Sequence, residues 1–200
     1  MSETTTRPAP GSHFADPAAL GLGGFALTTF VLSVVNAGMI PGKVEPVVFG
    51  LAFAYGGIAQ FAAGLWEFAK GNTFGATAFC SYGAFWLSFW WLTGHTDLSG
   101  AGADVNKGLG VYLLAWGIFT LYMTIGALRV SGAVLAVFVL LTITYFLLAF
   151  GEFGSDAAGH GVTKIGGYLG LLTAIAAWYA SFATVTNSTF KRAVLPTFPL

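Results

Sequence analysis

One acidic side chain stands where it could carry a proton through a membrane. Glu67 lies about one helical turn before the end of a long apolar run that begins near residue 47. A carboxyl group inside the hydrocarbon layer is costly, and such groups usually have a function. At the water interface the same residue would be an ordinary carboxylate, and the sequence leaves both interpretations open. Glu67 is therefore our candidate for proton coupling.

The other residue types that commonly do chemistry are absent from the apolar runs. No Lys, Arg, His or Asp lies within a run, and His13, His95 and His160 are scattered in the N-terminal tail and the loops. A retinal Schiff base needs an intramembrane lysine, a voltage sensor needs a row of arginines, and a metal site needs clustered ligands. We therefore expect no enzyme activity, no metal site and no cofactor.

Polar side chains follow one face of the first apolar run. Thr29, Ser33 and Asn36 fall on one face of a helix, together with the aromatic Phe25. A polar row facing lipid would be costly, so it should face protein or water. Such a face can hold a small polar solute or a small anion weakly, without fixed charge. It can equally join helices by interhelical hydrogen bonds, as in a non-transporting membrane scaffold or sensor.

The composition places the chain in a membrane. Of its 200 residues, 56% are hydrophobic and 8% are charged, whereas a soluble domain carries about 25% charged residues. The chain has too few charges to cover its own surface, so its solvent must be largely the lipid bilayer. The formal net charge of zero argues against a nucleic-acid partner.

The apolar runs predict an all-α membrane protein folded as a bundle of six transmembrane helices. We expect a disordered tail over residues 1–15, the six-helix domain over 16–190 and a short cytoplasmic tail over 191–200. A turn with Gly71 should join the second and third spans, and Asn72 can cap the third. The expected spans are about residues 20–40, 47–68, 73–93, 108–128, 133–151 and 165–187.

The basic residues predict the orientation of the bundle. Six spans place both termini on one side of the membrane. That side would hold Arg7, Lys70, Arg129, Lys191 and Arg192, and the other side would hold Lys43, Lys107 and Lys164. The positive-inside rule then favours cytoplasmic termini in a multi-pass protein of the cell membrane.

Several sequence motifs closely resemble the acetate uptake transporter family of succinate–acetate permease-like proteins. They are YGGIAQFAAGLWEF from residue 55, GNTFGATAF from 71, SYGAFW from 81 and GVYLLAWGIFTLYM from 110. The opening motif Asp-Pro-Ala-Ala-Leu-Gly-Leu, residues 16–22, departs from the family's Asn-Pro-Ala-Pro-Leu-Gly-Leu at its first and fourth positions. The resemblance covers the chain from residue 16 to about 196.

This resemblance implies a membrane transporter for acetate, and for succinate or other short carboxylates. It implies six transmembrane helices per subunit, a homo-hexamer, one pathway through each subunit, and either proton symport or an anion channel. It also implies a constriction midway along the path, formed by Phe25, Tyr82 and Leu141. A channel for another small solute such as ammonium is the alternative within the transporter class.

Our hypothesis for the pathway is that uncharged donors hold the carboxylate in stages on either side of the constriction. The predicted substrate-binding residues are Thr28, Thr29, Asn36, Gln60, Ser81 and Ser88. An inside-negative potential opposes uptake of an anion by about 2.3 kcal/mol per 100 mV, so uptake favours symport with a proton, which Glu67 could carry. An uncoupled anion channel remains the competing hypothesis.

Overall fold

The computed structural model describes residues 14–200, and the regular elements within that range are helices. Of the tail predicted over residues 1–15, residues 1–13 lie outside the described part of the chain. A short 3₁₀ turn, Ser99–Ala101, lies in the loop between the third and fourth helices. The six long helical elements are α1 (Ala18–Asn36), α2 (Gly42–Lys70), α3 (Thr73–His95), α4 (Asp104–Ala127), α5 (Gly132–Phe153) and α6 (Gly161–Phe190).

Five of these elements, α1, α2, α4, α5 and α6, are long and apolar enough to cross a membrane. The third, α3, has 23 residues and no Asp, Glu, Lys or Arg. Its glycines, serines, threonines, tryptophans and tyrosine lower its mean hydropathy, because none of these residue types is as apolar as leucine. Helix α3 is nevertheless central to the bundle, since much of the aromatic core projects from it.

The turn between α2 and α3 has the predicted chemistry. Gly71 adopts a left-handed conformation with φ of 77° and ends α2. The side-chain oxygen of Asn72 accepts a hydrogen bond from the backbone N–H of Gly75 at 3.1 Å and so caps α3. The prediction that Asn72 caps this helix is confirmed, and α2 and α3 form an antiparallel hairpin.

Helix α2 is irregular in a way that the sequence did not reveal. It begins as a 3₁₀ segment at Gly42–Val48, which contains Pro46, and becomes α-helical at Phe49–Phe53. It then widens into a π-helical segment at Ala54–Ala59 before the regular stretch Gln60–Lys70. The π segment packs against both α1 and α3. Such segments are rare and often occur at functional sites.

The six elements enclose a central space. Helix α1 packs along α6, α6 along α5, α5 along α4, and α2 along α3. The backbones of α3 and α4 make little contact, and aromatic rings close this side instead. The ring centroids of Phe85 and Tyr112 are 5.9 Å apart, and those of Tyr82 and Trp116 are 6.1 Å apart.

The start of α1 and the C-terminal half of α6 lie at the same end of the bundle. The hydroxyl of Ser181 in α6 donates to the carbonyl oxygen of Ala19 in α1 at 2.7 Å. At the same end, Lys70 forms an ion pair with Asp16 at 3.1 Å. The C-terminal residues return to the start of α5, where the N–H of Gly132 donates to the carbonyl oxygen of Phe198 at 2.6 Å. We call this end of the bundle the terminal end.

Candidate functional site

A cavity of about 620 Å³ opens at the opposite end of the bundle and reaches its middle. Its mouth lies among the loops, beside the start of α2 and the end of α5, and its deepest lining residues are Phe25 and Leu141. Residues from α1 to α6 all contribute to its wall. Among the lining residues are Phe25, Thr29, Ser33, Asn36, Lys43, Glu45, Phe85, Trp86, Phe89, Tyr112, Leu141, Thr144, Tyr145, Glu152 and Thr163.

The floor of this cavity is apolar and tightly packed. Phe25 and Leu141 are both buried and belong to one core cluster, which also includes Tyr82. The rings of Phe25 and Tyr82 are 5.7 Å apart. Tyr82 does not line the cavity, and its hydroxyl pairs with that of Thr120 at 2.9 Å. The structure thus brings together the three residues predicted to form the constriction.

Two of the six predicted substrate-binding residues line the cavity, namely Thr29 and Asn36. Thr29 is 7% exposed, and within residues 14–200 its hydroxyl oxygen has no hydrogen-bond partner. Asn36 lies at the last turn of α1, where its carbonyl oxygen accepts a hydrogen bond from the N–H of Gly159. Ser33, one turn before Asn36, lines the same wall.

The other four predicted donors do not line this cavity. Thr28 is buried and donates to the carbonyl oxygen of Gly24 at 2.8 Å. Ser88 is exposed and donates to the carbonyl oxygen of Phe85 at 2.8 Å. Ser81 borders a separate shallow depression of about 220 Å³. Gln60 is 1% exposed, and its side-chain oxygen has no partner among the described residues.

Glu67 also lies away from the cavity, at the terminal end of the bundle. Its side chain is fully buried, and one carboxylate oxygen accepts a hydrogen bond from the side-chain nitrogen of Asn72 at 2.9 Å. The other oxygen has no partner in the part of the chain that the structure describes. A Cβ atom added to Gly75 would lie 2.8 Å from the carboxyl carbon, so the carboxylate sits against the first turn of α3. Helix N-termini attract negative charge.

Sequence reasoning missed two buried polar groups in the cavity wall. The indole nitrogen of Trp86 and the hydroxyl oxygen of Thr163 have no hydrogen-bond partner within residues 14–200. Trp86 follows Tyr82 by four residues and so lies on a neighbouring part of the same helix face. In the sequence, a tryptophan within an apolar run looks like any other core residue. Thr163 lies outside the predicted span, so its burial was not expected. Only their positions in the folded bundle reveal them.

The charges of the cavity are confined to its mouth. The described lining residues that carry charge are Lys43 and Glu45, near the start of α2, and Glu152, near the end of α5. Both carboxylates line this mouth. In the loop after α3, the backbone N–H of Ser99 donates to Asp97 at 2.9 Å and lowers the pKa of that carboxyl group. From the mouth inwards, the lining therefore changes from charged groups to uncharged donors.

The arrangement resembles known membrane proteins in both sequence and structure. A sequence model of the GPR1/FUN34/yaaH family matches residues 2–200. The chain belongs to this family. The solved structure of the bacterial acetate channel SatP superposes with a TM-score of 0.82 at 40% identity and covers 92% of this chain and 99% of that chain. The resemblance to acetate transporters noted in the sequence is confirmed.

Relatives in the family are named for different solutes. The succinate-acetate/proton symporter SatP of Escherichia coli is 41% identical over 185 residues, which are 92% of this chain and 96% of that protein. Ammonia transport outward protein 2 of Saccharomyces cerevisiae is 44% identical over 188 residues, which are 90% of this chain but only 64% of that protein. The chain therefore spans somewhat less than two thirds of this yeast relative.

Proposed function

We propose that this protein carries acetate, and other short carboxylates such as succinate, across a membrane through a path within its own helical bundle. The observation that carries the proposal is the cavity of about 620 Å³, which enters a bundle of membrane-length helices and ends on Phe25 and Leu141. An apolar neck between uncharged donors rejects large hydrated ions, while a small anion can pass from donor to donor. The SatP relatives, named for acetate and succinate, support this assignment.

We place the constriction at Phe25, Tyr82 and Leu141. The first two pack ring against ring, and the third shares their core cluster. Thr29 and Asn36 then serve as donors on the cavity side of the neck. Gln60, Thr28, Ser81 and Ser88 do not line this cavity, although the hydroxyl of Ser88 pairs with that of Tyr112, which does.

In the membrane we propose six spans, with α3 as the sixth. Helix α3 pairs with α2 in a hairpin and lies among helices that are themselves of membrane length. Its polar backbone groups are satisfied within the helix, as a bilayer demands. The chain enters α1 and leaves α6 at the terminal end, and an even number of membrane crossings fits that arrangement. The described basic residues there are Lys70, Arg129, Lys191 and Arg192, which favours a cytoplasmic position.

We further propose that the subunits assemble as a homo-hexamer, with one path in each subunit. Many large apolar side chains, such as Ile118, Ile125 and Phe182, are exposed on the outer faces of the helices. These faces suit lipid or a neighbouring subunit. Native mass spectrometry of the protein in a mild detergent would report the number of subunits directly.

Uptake of labelled acetate by liposomes that contain the pure protein tests the proposed function. We expect saturable uptake that unlabelled acetate competes away and that liposomes without protein lack. The assay should be run at pH 7.5, where acetate is almost entirely ionised and leaks slowly through lipid, since its pKa resembles that of side-chain carboxyl groups, roughly 4 to 5. Currents carried by acetate in planar bilayers would favour a channel, and acetate-dependent acidification of the vesicle lumen would favour symport.

Ammonium is the second candidate solute. The yeast relative named for ammonia transport is 44% identical, and the mouth of the cavity carries two carboxylates and one ammonium group, on Glu45, Glu152 and Lys43. A net negative mouth favours a small cation. Labelled methylammonium in the same liposomes decides between the two, because a path for ammonium would carry it and a path for carboxylates would not.

A further inference from the structure

Two buried side chains in the cavity wall lack the hydrogen bonds that buried polar groups normally make. Trp86 is 2% exposed and Thr29 is 7% exposed, and both line the cavity. Within residues 14–200, neither the indole nitrogen of Trp86 nor the hydroxyl oxygen of Thr29 has a partner, and both atoms are covered by neighbouring atoms. Most buried polar atoms in proteins are paired, so each exception calls for an explanation.

The local packing holds the indole in place. A Cβ atom added to Gly56, in the π-helical segment of α2, would lie 2.9 Å from Cδ1 of Trp86 and 2.6 Å from the hydroxyl oxygen of Thr28. The pyrrole edge of the indole therefore rests against a glycine opposite Thr28, the residue that precedes Thr29 in α1. Phe85 and Phe89 pack on the indole with ring centroids 5.0 and 5.9 Å away.

The chemistry of these two groups selects the class of ligand. An indole N–H can only donate a hydrogen bond, and a threonine hydroxyl can donate one as well. A carboxylate offers two acceptor oxygens and can satisfy both. Ammonium offers only donors, so it leaves the Trp86 N–H unpaired. The charged lining residues, Lys43, Glu45 and Glu152, lie at the mouth and supply no competing carboxylate at this depth.

We propose that the indole N–H of Trp86 and the hydroxyl of Thr29, once the side chains that cover them move aside, form a binding site for the carboxylate group of the solute, just before the neck at Phe25 and Leu141. The rings of Phe85 and Phe89 then provide an apolar wall for the short alkyl part of the acid. This site deepens the proposed function and rests on it. It also makes Trp86 a determinant of selectivity for carboxylates over cations.

Fluorine NMR of the full-length protein in lipid nanodiscs tests the site independently of transport. The chain has six tryptophans, and labelling with 5-fluorotryptophan gives each a resonance. The Trp86→Phe variant identifies the resonance of residue 86. If that variant fails to fold, the five other tryptophans are replaced by phenylalanine one at a time, and the resonance that none of these changes removes is that of residue 86. We expect acetate to shift the Trp86 resonance in a saturable way, and methylammonium chloride to leave it in place.

Uptake kinetics provide the second measurement. We expect Trp86→Phe and Thr29→Val each to raise the KM for acetate about tenfold, the effect of one lost hydrogen bond to a charged ligand, with a maximum rate within about threefold of the wild type. The matched control is Trp90→Phe, because Trp90 packs on Phe53 and does not line the cavity. Its KM should stay within about twofold.

The outcomes separate the site from the proposed function. A Trp86 resonance that does not respond to acetate, in protein that takes up acetate, overturns the site and leaves the proposed function standing. An equal response to methylammonium overturns the selectivity argument. Protein that shifts its Trp86 resonance with acetate but takes none up into liposomes supports the site as a binding site and overturns transport.

Discussion

The charges at the mouth of the cavity should control the rate at which an anion enters. Glu45 and Glu152 are half-buried, whereas Lys43 is exposed, and none of the three forms an ion pair within 4.0 Å in the described part of the chain. An anion that passes roughly 6 Å from one carboxylate is repelled by about 0.7 kcal/mol at the dielectric constant of water, and by about 3 kcal/mol at an effective value of 20. Half-buried groups lie between these limits.

We therefore expect Glu152→Gln to raise the initial rate of acetate uptake by roughly three- to tenfold at neutral pH and low salt. Glu45→Gln should act in the same direction, and the double variant should exceed both. The rates are measured with labelled acetate in liposomes containing 10 mM salt. They are measured again at 300 mM salt, where the Debye length is shorter than the value of about 10 Å at 0.1 M, so that screening of the mouth charges should shrink the differences.

The chain itself supplies the control for this experiment. Lys43→Gln removes the opposite charge from the same mouth and should slow acetate by up to about threefold, less than the glutamates because the lysine is exposed to water. If the ammonium alternative were correct, all three signs would reverse for methylammonium. Glutamine variants whose acetate rates match the wild type at both salt concentrations would refute the electrostatic reasoning.

Further variants test other parts of the bundle. Leu141→Ala should admit longer acids that the wild type excludes, as measured by their competition with acetate. It should also lower the free energy of unfolding by about 2–5 kcal/mol, because it opens a cavity in the packed core. Unchanged selectivity would remove Leu141 from the constriction. Glu67→Gln should flatten the pH dependence of acetate uptake if this carboxyl carries the coupled proton; a profile that matches the wild type excludes it from that role. Deletion of residues 194–200 should lower the melting temperature in detergent, because it removes the hydrogen bonds from Tyr179 to Pro196 and from Gly132 to Phe198. Each of these bonds contributes roughly 0.5–1.5 kcal/mol. An unchanged melting temperature would show that the tail contributes little to stability.

The helices were largely predictable from sequence because each apolar run is bounded by turn residues. Gly71 ends α2 by adopting a left-handed backbone conformation, and the side chain of Asn72 caps the start of α3. The π segment of α2 was not predictable, because its glycines are compatible with a regular helix and only contacts with α1 and α3 reveal the widening. The lower hydropathy of α3 likewise reflects its place in the bundle, where aromatic and polar residues face other helices.

The candidate site was predictable only in part. Thr28 and Thr29 are adjacent in α1, yet the hydroxyl of Thr28 donates to its own helix, whereas Thr29 lines the cavity and its hydroxyl has no partner among the described residues. A rotation of 100° per residue separates them, and the sequence cannot tell which of them points inward. The grouping of Phe25, Tyr82 and Leu141 came from the family resemblance and not from any pattern, because their separation along the chain is spanned by tertiary contacts alone.

The position of Glu67 constrains how a proton could be coupled to the solute. Its carboxylate lies at the terminal end of the bundle and does not line the cavity, so a solute bound there cannot exchange a proton with it directly. The side chain instead contacts Asn72 and the first turn of α3, and the same helix carries Tyr82 at the proposed neck and Trp86 in the cavity wall. A change of charge on Glu67 would alter its interaction with the N-terminus of α3, so we expect any coupling to act through movement of this one helix. If coupling acts in this way, Glu67→Gln should change the fluorine NMR shift that acetate produces at Trp86. In a plain anion channel, the same substitution should leave that NMR shift as it is in the wild type.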